Sequence, residues 1–276
     1  MSAARPPNPL ARQLGYSLIE LMVAILIALF LIAGVLTVEQ SVHDSYADRS
    51  GLSRLDDDER FTMSLLTEIV QSAGYYPNPV FTSIATASPS VSTTATNGDA
   101  LVFQQGQSVY GLHKTTSVNG TTYDLDSVAI RYMTAGNDGI PVCDGTSNTS
   151  GTDVVYTNYF YIETQPNPNP NGAPISYLYC ALETGNTWAT NAVQLVKNVE
   201  YMQIWYGLHT QTGTPGDNYV DTYVPAADMT TTDWSEVTTV RIAVTFVNPL
   251  QVNGEAGQSA VTFTKVIDVM GRVGGA

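Results

Sequence analysis

Glu20 places a carboxylate at the head of the most apolar stretch of the chain, where it needs a counter-charge. The next 18 residues, Leu21 to Val38, carry no charge, and an acid drawn into hydrocarbon with them costs roughly 2.5–3.5 kcal/mol on insertion scales. A cut after Gly15 would supply the partner. It would free an α-amine on Tyr16, four residues before Glu20 and on the same helical face, within reach of a carboxylate of its own or a neighbouring chain. These three residues point to processing chemistry performed on the chain.

Other candidate groups point to less. Cys143 and Cys180 cannot build a zinc or iron–sulfur site alone, and His43, His113 and His209 lie far from them in sequence. No G-x-S-x-G elbow or paired-acid context surrounds a histidine, so neither catalytic nor metal-ligating residues are assigned, no cofactor is expected, and an enzyme is not the reading. Gly213 to Asp221 gathers oxygen ligands that would suit calcium. A turn in which Asp217 and Asn218 bond their own backbone explains the same residues, without the EF-hand spacing. The run Asp56-Asp57-Asp58-Glu59 points in different directions around a helix and reads as a solvated face. Eleven Lys and Arg against 25 Asp and Glu give a net charge of −14, and the cations are scattered almost singly. A nucleic-acid partner is therefore not expected. Tyr156, Tyr159 and Tyr161, or Tyr219 and Tyr223, fit either sheet packing or an interaction surface.

The elements that must position Glu20 begin with a helix. Leu21 to Val38 spans about 27 Å at 1.5 Å per residue, enough to cross a bilayer. Arg5 and Arg12 precede it, which leaves the leader in the cytoplasm and sends the remainder outward. A secretory signal peptide fits poorly, because the apolar run is long, Glu20 opens it and no small-x-small site follows. Past the membrane, Val42, Tyr46, Leu52, Leu55, Leu66, Ile69 and Ala73 recur at three- and four-residue steps, extending the helix amphipathically to Ala73, before Gly74, Pro77 and Pro79 stop it. Beyond lie short β-type runs: 100–104, 128–133, 154–162, 176–182, 199–206, 237–247 and 260–269. In 237–247 the alternation of Val240, Ile242, Val244 and Phe246 with Arg241, Ala243 and Thr245 marks one buried face. The polar stretches 82–98 and 165–174 read as surface loops. The expected divisions are a leader, 1–15; a transmembrane half-helix, 16–40; an amphipathic half-helix, 41–73; and a β-rich globular domain, 74–276.

Leu14-Gly15-Tyr16-Ser17-Leu18-Ile19-Glu20-Leu21-Met22 resembles the class III signal of type IV pilins and pseudopilins. The family's usual first mature residue is Phe, and Tyr16 retains the aromatic ring. A second resemblance runs through Arg60-Phe61, Leu65-Leu66, Ala73-Gly74-Tyr75, Asp99-Ala100-Leu101, Tyr177 to Cys180, Leu195-Val196, Val199-Glu200, Gln203 to Gly207, Asp221 to Val224, Trp234, Val237 and Val240-Arg241-Ile242. These are similar in order and spacing to the PilW group of minor pilins.

The resemblance implies an α+β type IV pilin fold, with a long N-terminal helix packed on an antiparallel β-sheet. It implies cleavage between Gly15 and Tyr16 by prepilin peptidase, N-methylation of Tyr16, and an assembly role for Glu20. The implied function is a structural one: a minor pilin in the tip complex that primes a type IV pilus, supporting adhesion or twitching motility. Partners would be other minor pilins, the major pilin, the inner-membrane assembly platform and a large tip adhesin. The protein would sit in the inner membrane with its globular domain in the periplasm, and later in the extracellular pilus. That location allows Cys143 and Cys180 to form a disulfide, with two separate buried thiols as the alternative. Rival readings are a J-type pseudopilin of a type II secretion system and a membrane-anchored periplasmic binding domain.

Overall fold

The computed structural model describes residues 17–80, 82–118, 121–169, 174–209, 219–250 and 260–269. The chain divides into two units, Met1–Gly51 and Leu52–Ala276. Helix α1, Leu18–Gln71, contributes to both. Within the first unit every described residue of the helix before Gly51 is exposed.

In the second unit α1 shows a single buried apolar stripe, Met63, Leu66, Ile69 and Val70, at the spacing of a helix face, and Ala73 in the turn after it is buried too. Burial starts later than the periodicity predicts: Leu55 is half-buried, but Val42, Tyr46 and Leu52 are exposed. The helix stops as expected. Gly74 takes φ +75°, a conformation that costs glycine little, and donates its N–H to the Arg131 carbonyl at 2.9 Å.

A short helix α2, Ile84–Ala87, follows, capped by the Ser83 hydroxyl. The strands then run β1 Val91–Thr94, β2 Ala100–Phe103, β3 Val109–Leu112, β4 Thr115–Val118, β5 Thr121–Asp124, β6 Ser127–Thr134 and β7 Val154–Gln165. They continue as β8 Ile175–Thr184, β9 Thr187–Trp188, β10 Val193–Lys197, β11 Val199–Leu208, β12 Thr222–Pro225, β13 Val237–Val247 and β14 Ala260–Asp268. The expected antiparallel sheet is in fact two, with spatial orders β10-β8-β7-β6-β3, β9 joining β8, and β12-β11-β13-β14. Two-stranded hairpins β1-β2 and β4-β5 accompany them. The stretch 82–98 is thus no plain loop, since it holds α2 and β1. Its Thr93 hydroxyl bonds Glu183 at 3.0 Å, and this tertiary contact selects strand over loop. In 165–174, Gln165 ends β7, and residues 170–173 lie outside those described.

One core joins the stripe of α1 to the inner faces of both sheets, including Ile130, Phe160, Leu178, Met202, Ile204, Tyr206, Ile242 and Val244. On β3, a Cβ on Gly111 would overlap the Tyr206 hydroxyl, so the close packing of β3 on β11 requires glycine there. The opposite face of the larger sheet carries a second cluster, Ala129, Tyr159, Tyr161, Tyr179 and Ala181, with Leu101 and Phe103 of β2.

Asp126 stitches the two sheets together. Its N–H donates to the Met202 carbonyl at 2.9 Å, and its Oδ2 accepts the Ile204 N–H at 2.8 Å. His113 Nδ1 lies 2.7 Å from the other carboxylate oxygen. The group is only 3% exposed. Burial pushes its pKa up, against the Ile204 and His113 bonds.

Candidate functional site

The N-terminal end of α1 carries the processing and assembly residues expected from sequence. Ser17 precedes the helix, and its carbonyl accepts the N–H of Glu20 at 3.0 Å and of Leu21 at 3.2 Å. Glu20 therefore lies in the first turn, where the exposed N–H groups and the helix dipole favour an acid. Its side chain makes no hydrogen bond or ion pair with another described residue. Gly15 and Tyr16, the expected cleavage and methylation positions, lie outside the described residues.

The segment that follows has an 18-residue window of mean hydropathy 3.0, none of it buried against the rest of the chain. Apolar side chains surround the helix on all sides, from Leu18 and Leu21 through Phe30 to Val38. A helix apolar all round with no protein cover is suited to lipid or to other helices. Thr37, the one hydroxyl of the run from Leu21 to Val38, satisfies itself by donating to the Gly34 carbonyl at 2.8 Å.

Cys143 and Cys180 form a disulfide, with Cα atoms 6.2 Å apart. Cys180 lies in β8 opposite Phe160, and Cys143 in the 135–153 loop. The Asn158 side-chain carbonyl accepts the Cys143 N–H at 2.8 Å and holds the loop against β7. Asp138, Asp144 and Asn148 shape that loop by bonding backbone N–H groups two or three residues away, as turn-forming residues do.

Each remaining polar candidate has a local role. His113 is committed to Asp126, His209 lies 3.1 Å from the Tyr219 carbonyl, and His43 is exposed on α1. Among the described residues no three His, Cys, Asp or Glu side chains form a metal-holding group. Asp217 and Asn218, the centre of the calcium-or-turn stretch, lie outside the described residues. In the acid run, Asp56 reaches Arg60 at 3.5 Å, while burial raises the pKa of Asp58 against the attraction of Lys197. Tyr156, Tyr159 and Tyr161 are core residues, whereas Tyr219 is 75% exposed. The Tyr159 hydroxyl donates to Asp99 at 2.5 Å. Burial alone would raise the Asp99 pKa, yet bonds from Lys114, Tyr159 and Asn97 hold it below the usual range.

Sequence reasoning passed over two features of the second sheet: the Asp126 stitch, and the stacking of Arg241 on Trp205 at 4.1 Å from ring centroid to Cζ, with Tyr223 at 5.3 Å. The only signal for the second was that Arg241 interrupts an otherwise small and hydroxylic outer face.

Comparison with known families matches both regions. The prokaryotic N-terminal methylation motif covers residues 10–36, the segment containing Gly15, Tyr16 and Glu20. The family of type IV pilus-assembly protein W covers residues 159–267, from within β7 into β14. No curated protein and no solved structure matches the chain. A methylation-type apolar helix joined to antiparallel sheets defines a type IV pilin-like subunit, a structural component of a pilus. Within that class the two matches support a minor pilin of the PilW family, to which residues 159–267 are similar.

Proposed function

We propose that this protein is a minor pilin of the tip complex that primes assembly of a type IV pilus, in support of adhesion or twitching motility. The observation that carries the proposal is the uncovered apolar helix bearing Glu20 on a chain whose β domain matches the PilW family. Prepilin peptidase cuts between Gly15 and Tyr16, and Tyr16 is N-methylated. The apolar half-helix, on the divisions given above, holds the subunit in the inner membrane with its globular domain in the periplasm. Glu20 pairs with the Tyr16 amine of its own chain there. During assembly it pairs instead with the amine of an adjacent pilin, as the helix exchanges lipid for packed helices and stays buried. The assembly platform, the other minor pilins, the major pilin and a large adhesin are its partners in that process. The PilW match supports a pilus over a type II secretion system.

Mass spectrometry of the protein purified from membranes and from sheared pili tests the proposal. A methylated Tyr16 is expected at the N-terminus. Gly15→Val should leave a chain heavier by the 15-residue leader and retained in the membrane. Glu20→Val should be processed yet crosslink less to other pilins. An N-terminus at Met1, or one beyond Val38, contradicts the reading.

A further inference from the structure

We propose that the outer face of the β12-β11-β13-β14 sheet docks another pilus subunit by receiving one of its carboxylates on Arg241. This rests on the tip-complex reading and adds to it the surface and the chemistry of one contact.

Arg241 stands on β13 between Trp205 of β11 and Val266 of β14. Its guanidinium carbon lies 4.1 Å from the Trp205 ring centroid and 5.3 Å from that of Tyr223. Stacking fixes the plane of the guanidinium, so less freedom is lost when its donor fork is engaged. That fork is unused. The Arg241 side chain makes no hydrogen bond or ion pair with any described residue, and its Nε is buried without a partner. The chain holds 25 Asp and Glu against 11 Lys and Arg, so carboxylates are abundant for its cations. Other cations find them or an equivalent: Arg60 pairs with Asp56, Lys114 with Asp99, and Arg131 donates to the Pro89 carbonyl at 2.9 Å. On Arg241 a positioned cation is left open, at half-buried depth, on a sheet face that continues into Gln203 and Thr264.

The occupant follows from charge and shape. A sugar ring would have to share Trp205 with the guanidinium that already stacks on one of its faces. A polyphosphate needs several cations together, and this face supplies one on a chain of net charge −14. A protein surface presenting a single Asp or Glu fits. It can accept two parallel N–H bonds from the fork while its apolar surroundings cover the Trp205 and Tyr223 rings. Trp, Tyr and Arg together are the residue types that carry most binding energy at protein interfaces.

The test places a photo-crosslinking amino acid at Thr264 in the full-length protein in its own cells, with crosslinked peptides read by mass spectrometry. The expected product joins Thr264 to a peptide of another pilin containing Asp or Glu. Its yield should fall at least roughly tenfold in Arg241→Glu. It should fall less in Arg241→Lys, which keeps the charge and the stacking but loses the fork. Exchanging the partner's carboxylate for Arg should restore the yield with Arg241→Glu. Arg241→Lys, checked by thermal melting, keeps the test valid should Arg241→Glu fold poorly. An unchanged yield in both variants, or a crosslinked peptide without a carboxylate, overturns the proposal. A second crosslinker at Ile27 separates the two readings. Ile27 products with other pilins beside a Thr264 yield indifferent to Arg241 defeat the docking site alone, whereas no product from either position defeats the tip-complex reading and the proposal with it.

Discussion

Helix α1 contains two halves whose apolar residues are alike and whose surroundings differ. In the first half leucine and isoleucine occupy every face, and none is covered: Leu29 is 62% exposed. In the last turns the apolar positions narrow to one stripe, and Leu66 is fully buried beneath the two sheets. Hydrophobicity alone is therefore no guide to what a residue in this helix does. Periodicity separates the halves, because a one-sided stripe can be satisfied by a sheet while an all-round apolar surface cannot. The first half is suited to lipid or to other helices, and the second belongs to the fold of its own chain.

The same substitution in each half breaks this comparison most directly. Leu66→Ala removes side-chain volume from a packed core and should cost about 2–5 kcal/mol of unfolding free energy. Leu29→Ala should leave the unfolding of the globular domain unchanged. Urea titration of the full chain in detergent micelles, followed by near-ultraviolet circular dichroism of the core tyrosines, reads both. Equal losses would mean that the apolar half packs on the globular domain.

The disulfide should be next in size and confined to the globular side. Cys143 and Cys180 close a separation of 37 residues, and constraining a loop of that length stabilises by about 4 kcal/mol in the chain-entropy model. Cys180→Ser should lower the urea midpoint accordingly and leave membrane insertion of the apolar half intact. Peptide mapping without reductant should find the linked pair in the wild-type protein. Loss of insertion in the variant would show that the two halves of the chain are less independent than their burial implies.

Much of this organisation was legible because it is written in local patterns. The helix, its stop at Gly74, the six long strands and the short β2 follow from periodicity and breakers, and Val237–Val247 keeps the predicted bounds. The missed strands are short and lack an apolar run. Thr115–Val118 and Thr121–Asp124 pair as a hairpin, and Tyr123 stacks on Tyr201 at 4.0 Å. That stacking joins residues far apart in sequence, so no window of sequence contains it. The division into two sheets was hidden for the same reason. It turns on Asp126, an isolated acid between two β runs, whose partners His113, Met202 and Ile204 come from elsewhere in the chain. At the N-terminus the reverse holds. Glu20 was singled out because its cost is local, being set by the 18 uncharged residues after it.

These two acids allow the finest test of the comparison. Asp126 is enclosed by the fold, and burial raises its pKa above the ordinary 3.8 although the Ile204 N–H and His113 oppose the shift. In the unfolded chain it ionises near the ordinary value, so between that value and the raised one the folded state holds more proton. Stability from this group is present below the ordinary pKa, falls as pH climbs through the window, and levels off above the raised pKa. Asp126→Asn removes the titration while keeping an oxygen for the Ile204 N–H. The variant should therefore gain on the wild type as pH rises through the acid range, by less than either loss above. Glu20→Gln, outside the globular domain, should leave that domain's pH dependence unaltered. Urea midpoints of the three proteins against pH at constant ionic strength provide the measurement. A variant that instead falls further behind the wild type as pH rises would show that the His113 contact, and not burial, governs Asp126.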